Sequence, residues 1–112
     1  MSFSSQPLKK FVVYAPDKEG THEMRYQVRQ EHLDKVAPLI KSGVIKVGGM
    51  MVDPQCDVEA AQKQAVGSLI IYEAESFEKV KEMVESDVYY KSGVWDREKL
   101  VITPFLAATP WP

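Results

Sequence analysis

The sequence predicts an α+β domain with four strands and two helices in the order β-α-β-β-α-β. Three observations carry this reading. Runs rich in β-branched and aromatic residues occupy 10–15, 44–52, 66–74 and 99–106. Two intervening stretches, about 28–42 and 76–86, space their apolar residues for one face of a helix. Strands two and three follow each other with no helix between them, which is the split βαβ, ferredoxin-like arrangement. A chain of 112 residues suits one such domain.

Each element has its own signal. Residues 1–8 are small and polar up to Pro7 and predict a flexible tail, so the domain is expected over 9–106. Phe11-Val12-Val13-Tyr14 forms the first strand, which Pro16 stops, with Tyr14 at its end. A turn with Gly20 and a connection to about residue 27 follow. In the first helix, Leu33, Val36, Ala37 and Ile40 share a face, Gly43 is the stop, and Pro38 predicts a kink. The second strand is expected to close at Gly48-Gly49 or to carry them as a bulge. Residues 53–64 read as a long hairpin loop. Ser76 caps the second helix, whose stripe is Phe77, Val80, Met83 and Val84. Residues 87–96 read as a loop bearing Tyr89, Tyr90 and Trp95. The fourth strand is broken late by Pro104, and 107–112 read as a C-terminal tail.

Right-handed crossovers put both helices on one face of a four-stranded antiparallel sheet. The strands are nevertheless apolar at consecutive positions: Phe11-Val12-Val13-Tyr14, Leu69-Ile70-Ile71-Tyr72 and Leu100-Val101-Ile102. A sheet with one wet face would alternate, so the second face is expected to meet a second copy in a homodimer. A net charge of −2 and the lack of a basic, aromatic-rich cluster speak against nucleic acid as a partner. No apolar run reaches the roughly 20 residues of a membrane span, and the N-terminal residues lack a signal-peptide core. Cys56 is the single cysteine and reads as an inert loop thiol in a reducing, cytoplasmic setting. Metal-ligand spacing, a phosphate loop, a dinucleotide fingerprint and a serine nucleophile elbow are all missing, which leaves chemistry without metal or cofactor, or plain binding of a small molecule.

Tracing the strand directions places the three long connections, 16–27, 53–65 and 87–97, at one end of the sheet. His32, near the start of the first helix, and Asp87, just past the end of the second, meet at that end although 55 positions apart (87 − 32). A neutral imidazole accepts a proton near neutral pH, and a carboxylate can orient it. His32 and Asp87 are therefore the candidate catalytic pair. Arg29, one turn before His32, is the candidate anion anchor or an alternative partner of Asp87. Gly48 and Gly49 would admit a ligand close to the backbone, and Tyr14, Tyr89 and Trp95 would supply flat walls. Each also has a plain structural explanation: a helix-start histidine as a cap, Asp87 as a solvated turn residue, the glycines as a bulge, the aromatics as packing.

Several segments then resemble one family in order along the chain. These are Arg29-Gln30-Glu31-His32-Leu33, Ser42 to Gly49, Gly67-Ser68, Glu75-Ser76-Phe77-Glu78, Ser86-Asp87-Val88-Tyr89, Ser92-Gly93-Val94 and Thr103-Pro104-Phe105. Together they are similar to the YCII family over residues 9–106. The resemblance implies a dimeric α/β barrel, related to muconolactone isomerases and small antibiotic-biosynthesis monooxygenases. It also implies an active-site pair at the His of R-P-x-H-L and the Asp of D-P-[FY], which fall on His32 and Asp87, and it brings dehydrochlorination of a chlorinated hydroxyquinol as the best-characterised activity. The chain departs from the pattern at Gln30, Met50 and Val88, where the family carries prolines. Three readings follow: a cofactor-independent lyase or isomerase acting on a small cyclic, enolisable or chlorinated substrate, a non-catalytic binding or interaction protein, and a cofactor-free monooxygenase.

Overall fold

The computed structural model describes residues 7–56 and 63–111. Most of the expected N-terminal tail, the centre of the expected hairpin loop and residue 112 lie outside the described residues. The strands are β1 (Lys9–Pro16), β2 (Ile45–Val52), β3 (Ala65–Ala74) and β4 (Val101–Pro104). They form one sheet in the order β2-β3-β1-β4, with every neighbouring pair antiparallel. The long helices α2 (Arg29–Lys41) and α3 (Phe77–Glu85) pack on one face, as the ferredoxin-like pattern requires.

Strand alternation decides what each face carries. Phe11, Val13 and Ala15 of β1 point toward the helices and are buried, level with Tyr72, Ile70 and Ser68 of β3. Val36 of α2 and Val80 and Val84 of α3 close this core from above. Full burial of each such apolar side chain contributes about 1.5–3 kcal/mol before entropy is counted. The intervening residues Val12, Tyr14, Leu69 and Ile71 lie on the other face, flanked by Val47 and Val101. At one end of that face Glu73 pairs with Lys10 at 2.9 Å and Lys46 at 3.3 Å.

Several expectations need correction. Residues 16–27 hold a short helix, α1 (His22–Gln27), and 87–96 hold another, α4 (Val88–Lys91). Neither is long enough to show a periodic apolar stripe, so neither was visible in the spacing. β4 is shorter than expected, because the backbone N–H groups of Lys99 and Leu100 turn back to the Asp96 carbonyl. Gly48 and Gly49 do not close β2. They sit in its middle, opposite Ile70 and Leu69, and β2 runs on to Val52. Likewise Tyr14 is two residues short of the end of β1. α2 continues past the exposed Pro38 to Lys41, and Gly43, with φ 84°, takes the left-handed conformation that ends it. Among the described residues, no helix is long and apolar enough to cross a membrane.

Gly67 of β3 is fixed by close packing. A Cβ there would stand 2.6 Å from the backbone oxygen of Ala15 and 2.6 Å from the Met51 Cε. The methionine tip can move, but the neighbouring backbone cannot without disturbing the β1–β3 ladder. Gly67→Ala should therefore cost about 1–3 kcal/mol. In thermal unfolding that corresponds to a Tm lower by at least about 4 °C, and an unchanged Tm would show that the strands separate freely here.

Candidate active site

The segment after α3 builds one half of the site. Asp87 takes extended backbone angles (φ −74°, ψ 140°) and caps α4, its Oδ1 accepting the Tyr89 backbone N–H at 2.9 Å. That cap turns the carboxylate inward, where it is 2% exposed. His32, in the first turns of α2, places Nδ1 2.9 Å from both Asp87 oxygens. With the Nδ1 proton donated to the carboxylate, the Nε2 lone pair is the basic nitrogen left to the adjoining cavity. The imidazole stacks on the Tyr89 ring, centroids 4.1 Å apart and planes 15° from parallel.

A second charged pair forms the other half. Arg25 of α1 is 3% exposed and donates from Nη1 to Asp17 Oδ1 at 2.6 Å. Its Nη2 donates to Ser68 Oγ at 2.9 Å, and its guanidinium carbon lies 4.6 Å from the Tyr89 ring centroid. Ser68 also accepts from Trp95 Nε1 at 3.2 Å. Two donors thus occupy the Ser68 oxygen, and its own O–H is left to donate elsewhere. Burial pushes the Asp17 carboxyl above its ordinary range, against the opposing pull of Arg25. Burial likewise raises the Tyr89 phenol, and burial with the Asp87 charge raises the Tyr72 phenol.

Both halves open into one cavity of about 310 Å³ between α2 and strands β2 and β3. Of the candidates read from the sequence, His32, Arg29, Gly48, Gly49 and Tyr89 line it. Arg29 is exposed and does not pair with Asp87. Asp87 stands directly behind His32. Two candidates fall elsewhere. Tyr14 is on the opposite face of the sheet, where strand parity puts it. Trp95 is fully buried behind Tyr89 and Ser68, its rings 5.7 Å from Tyr89 and 6.3 Å from His32, so it supports the site rather than lining it. Arg25, Ser68 and Asp17 were missed. Arg25 lies in a short helix with no apolar period and Ser68 inside a strand, so neither carried a signal of its own. Among the described residues, no three His, Cys, Asp or Glu side chains gather to hold a metal.

The buried Asp17–Arg25 pair yields a stability prediction. Arg25→Met should leave the carboxylate unpaired and cost about 3–5 kcal/mol. Without Arg25 the folded-state pKa of Asp17 rises further above 3.8, so the folded state binds a proton that the unfolded chain releases. Stability from that proton is present at low pH and is lost as pH rises through the folded-state value. Urea unfolding should therefore show a larger deficit for Arg25→Met at pH 8 than at pH 5, and equal deficits would contradict the pairing.

The comparisons with known proteins agree with this architecture. The YCII-related domain matches residues 9–105. Fusaric acid biosynthesis protein 2 of Gibberella fujikuroi is 34% identical over 98 residues, covering 88% of this chain and 93% of that protein. Protein YciI of Escherichia coli is 32% identical over 96 residues, covering 85% and 94%. Among solved structures, the 5-chloro-2-hydroxyhydroquinone dehydrochlorinase TftG of Burkholderia phenoliruptrix, in complex with 2,5-dihydroxybenzoquinone, superimposes with a TM-score of 0.77 at 27% identity, covering 88% of this chain and 95% of that one. With the family description spanning nearly the whole domain, the chain belongs to the YCII-related domain family.

Proposed function

We propose that this chain is a small acid–base enzyme of lyase or isomerase type, acting on a cyclic, enolisable, oxygen-bearing substrate without a cofactor. One observation carries the reading: the His32–Asp87 pair and the Arg25–Ser68 donor pair face a common cavity. Nε2 of His32 takes a proton from a ring hydroxyl or an activated C–H. The electron pair left behind moves onto a ring oxygen, which Arg25 and the free Ser68 O–H stabilise as it becomes negative. The ring then recovers the proton at a carbon: where that carbon bears chlorine, loss of a second hydroxyl proton sends its electron pair through the ring and chloride leaves with the C–Cl pair, and otherwise the tautomer is released. The first outcome is a lyase, the second an isomerase. Arg29, at the rim, attracts an anionic substrate. The similarity to a dehydrochlorinase supports the leaving-group route.

Acid–base catalysis contributes roughly 10²- to 10⁴-fold, and positioning between the two pairs supplies the rest. The test follows deuterium uptake at the ring C–H of 2,5-dihydroxybenzoquinone and chloride release from 5-chloro-2-hydroxyhydroquinone. His32→Ala should lower the catalysed rate by at least roughly 10² while the fold is retained. Unchanged turnover in that variant removes His32 from the mechanism. Ligand binding with no chemistry in the parent protein points instead to a binding module, and oxygen consumption to a monooxygenase.

The open sheet face completes the proposal. Val12 and Leu69, both partly exposed, line this face beside the buried Ile71, bordered by Tyr14 and Val101, each nearly half exposed. Sheets pack face to face at about 10 Å with such side chains interdigitated, so the functional unit is a homodimer joined through this face. Sedimentation should give twice the chain mass of 12.7 kDa. Leu69→Arg should give the monomer, whereas a monomeric parent protein would dispose of the interface.

A further inference from the structure

We propose that the cavity has two parts, and that its second part is a channel for an alkyl substituent on the substrate ring. The inference deepens the proposed function and rests on a ring being held at His32, Arg25 and Ser68. Those groups occupy only one end. From Arg29 to Ile40 the cavity follows α2 for eleven residues, about 16 Å at 1.5 Å per residue. Beyond His32 its walls are Leu33, Val36 and Ile40 on α2, and Ile45 and Ile70 on the sheet, while Met50, opposite Ser68, belongs to the ring end. None of these side chains offers a hydrogen bond, so a hydroxylated or charged extension would be desolvated without compensation.

Gly48 keeps this stretch open. It lies in the interior of β2, where glycine weakens a strand. Its backbone angles do not require glycine, since the positive-φ glycines are Gly20, Gly43 and Gly93. Packing does not require it either: a Cβ there would meet Ile45 Cγ2 at an ordinary 3.5 Å. What a side chain would fill is the cavity itself. At the far end Ile40 is 56% exposed, an apolar side chain waiting at the channel mouth. Lys46 stands beside it with its ammonium already paired to Glu73, so the channel end makes no demand for a carboxylate on the chain.

The experiment titrates the full chain with 2,5-dihydroxybenzoquinone and its 3-methyl, 3-butyl and 3-hexyl derivatives, and in parallel with acetate, butyrate, hexanoate and octanoate. Affinity should rise about fourfold per buried methylene along both series. NMR shifts should appear at the Val36, Ile40 and Ile45 methyls. Gly48→Leu should abolish the rise, and Ile40→Asp, at an exposed position, should blunt it if the first variant does not fold. No dependence on chain length in either series, or a dependence that both variants leave untouched, overturns the channel. Binding of the parent quinone without a length effect overturns the channel alone. A length effect with the carboxylates but no quinone binding keeps the channel and defeats the proposed reaction instead.

Discussion

The Tyr89 ring and its backbone are the constraint on which the site depends. Its N–H fixes the Asp87 carboxylate, and its carbonyl accepts the Trp95 N–H at 3.0 Å. The ring face meets His32, and the Arg25 guanidinium lies 4.6 Å from its centroid. One residue on a four-residue helix thus sets four others, from α1, α2, the cap of α4 and the segment leading to β4. Ring contacts of this kind contribute about 0.5–1.5 kcal/mol beyond area burial, and a cation near the ring adds a similar amount. Tyr89 is 1% exposed, so it cannot swing away without opening the core. The geometry of the His32–Asp87 pair and that of the Arg25–Ser68 pair are therefore coupled through one side chain.

That coupling explains an otherwise expensive arrangement. Two charged pairs, Asp17–Arg25 and His32–Asp87, are set into a small domain whose core is mainly valine, tyrosine and isoleucine. A buried ion pair is often no more stable than a well-packed apolar substitute. Stability alone does not account for two of them meeting at one cavity. In the proposed reaction they hold the two groups that meet the substrate, Nε2 of His32 beside Asp87 and the O–H of Ser68 beside Arg25. Trp95 has the same logic, since its indole N–H goes to Ser68 and helps to hold the hydroxyl hydrogen free.

How much of this was legible in the sequence follows from what kind of information each residue carries. Element order and the meeting of His32 with Asp87 came from strand direction, which the split βαβ pattern dictates. The sheet face of Tyr14 was equally available, because parity along Phe11-Val12-Val13-Tyr14 puts it opposite to Phe11 and Val13. Reading it as a pocket wall used its height along the strand and neglected its side. Arg25 and Ser68 were hidden for a different reason. A short helix whose side chains are held by charges has no apolar period, and a serine inside a strand looks like an ordinary polar interruption until its neighbours are known. The register that sets Ser68 beside Ala15, with Trp95 bridged to Asp17, is information the sequence holds only jointly.

The three departures from the family pattern then take on separate meanings. At Val88 a proline would favour extended angles at Asp87 and start a helix. Asp87 adopts those angles without it, because the cap to Tyr89 and the bond to His32 impose the same geometry. Gln30 replaces a rigid residue in the first turn of α2 and instead ties the helix surface by donating to Asp34 Oδ1 at 2.8 Å. Met50 differs from both, since it faces the cavity. A proline there would give a stiff wall and withdraw an N–H from β2, whereas methionine gives a flexible thioether that reshapes around its contents. Two departures are thus compensated by hydrogen bonds, and the His32–Asp87 geometry stays in place. The third alters the wall of the site, which is where members of one fold can diverge in substrate while keeping the same reacting groups.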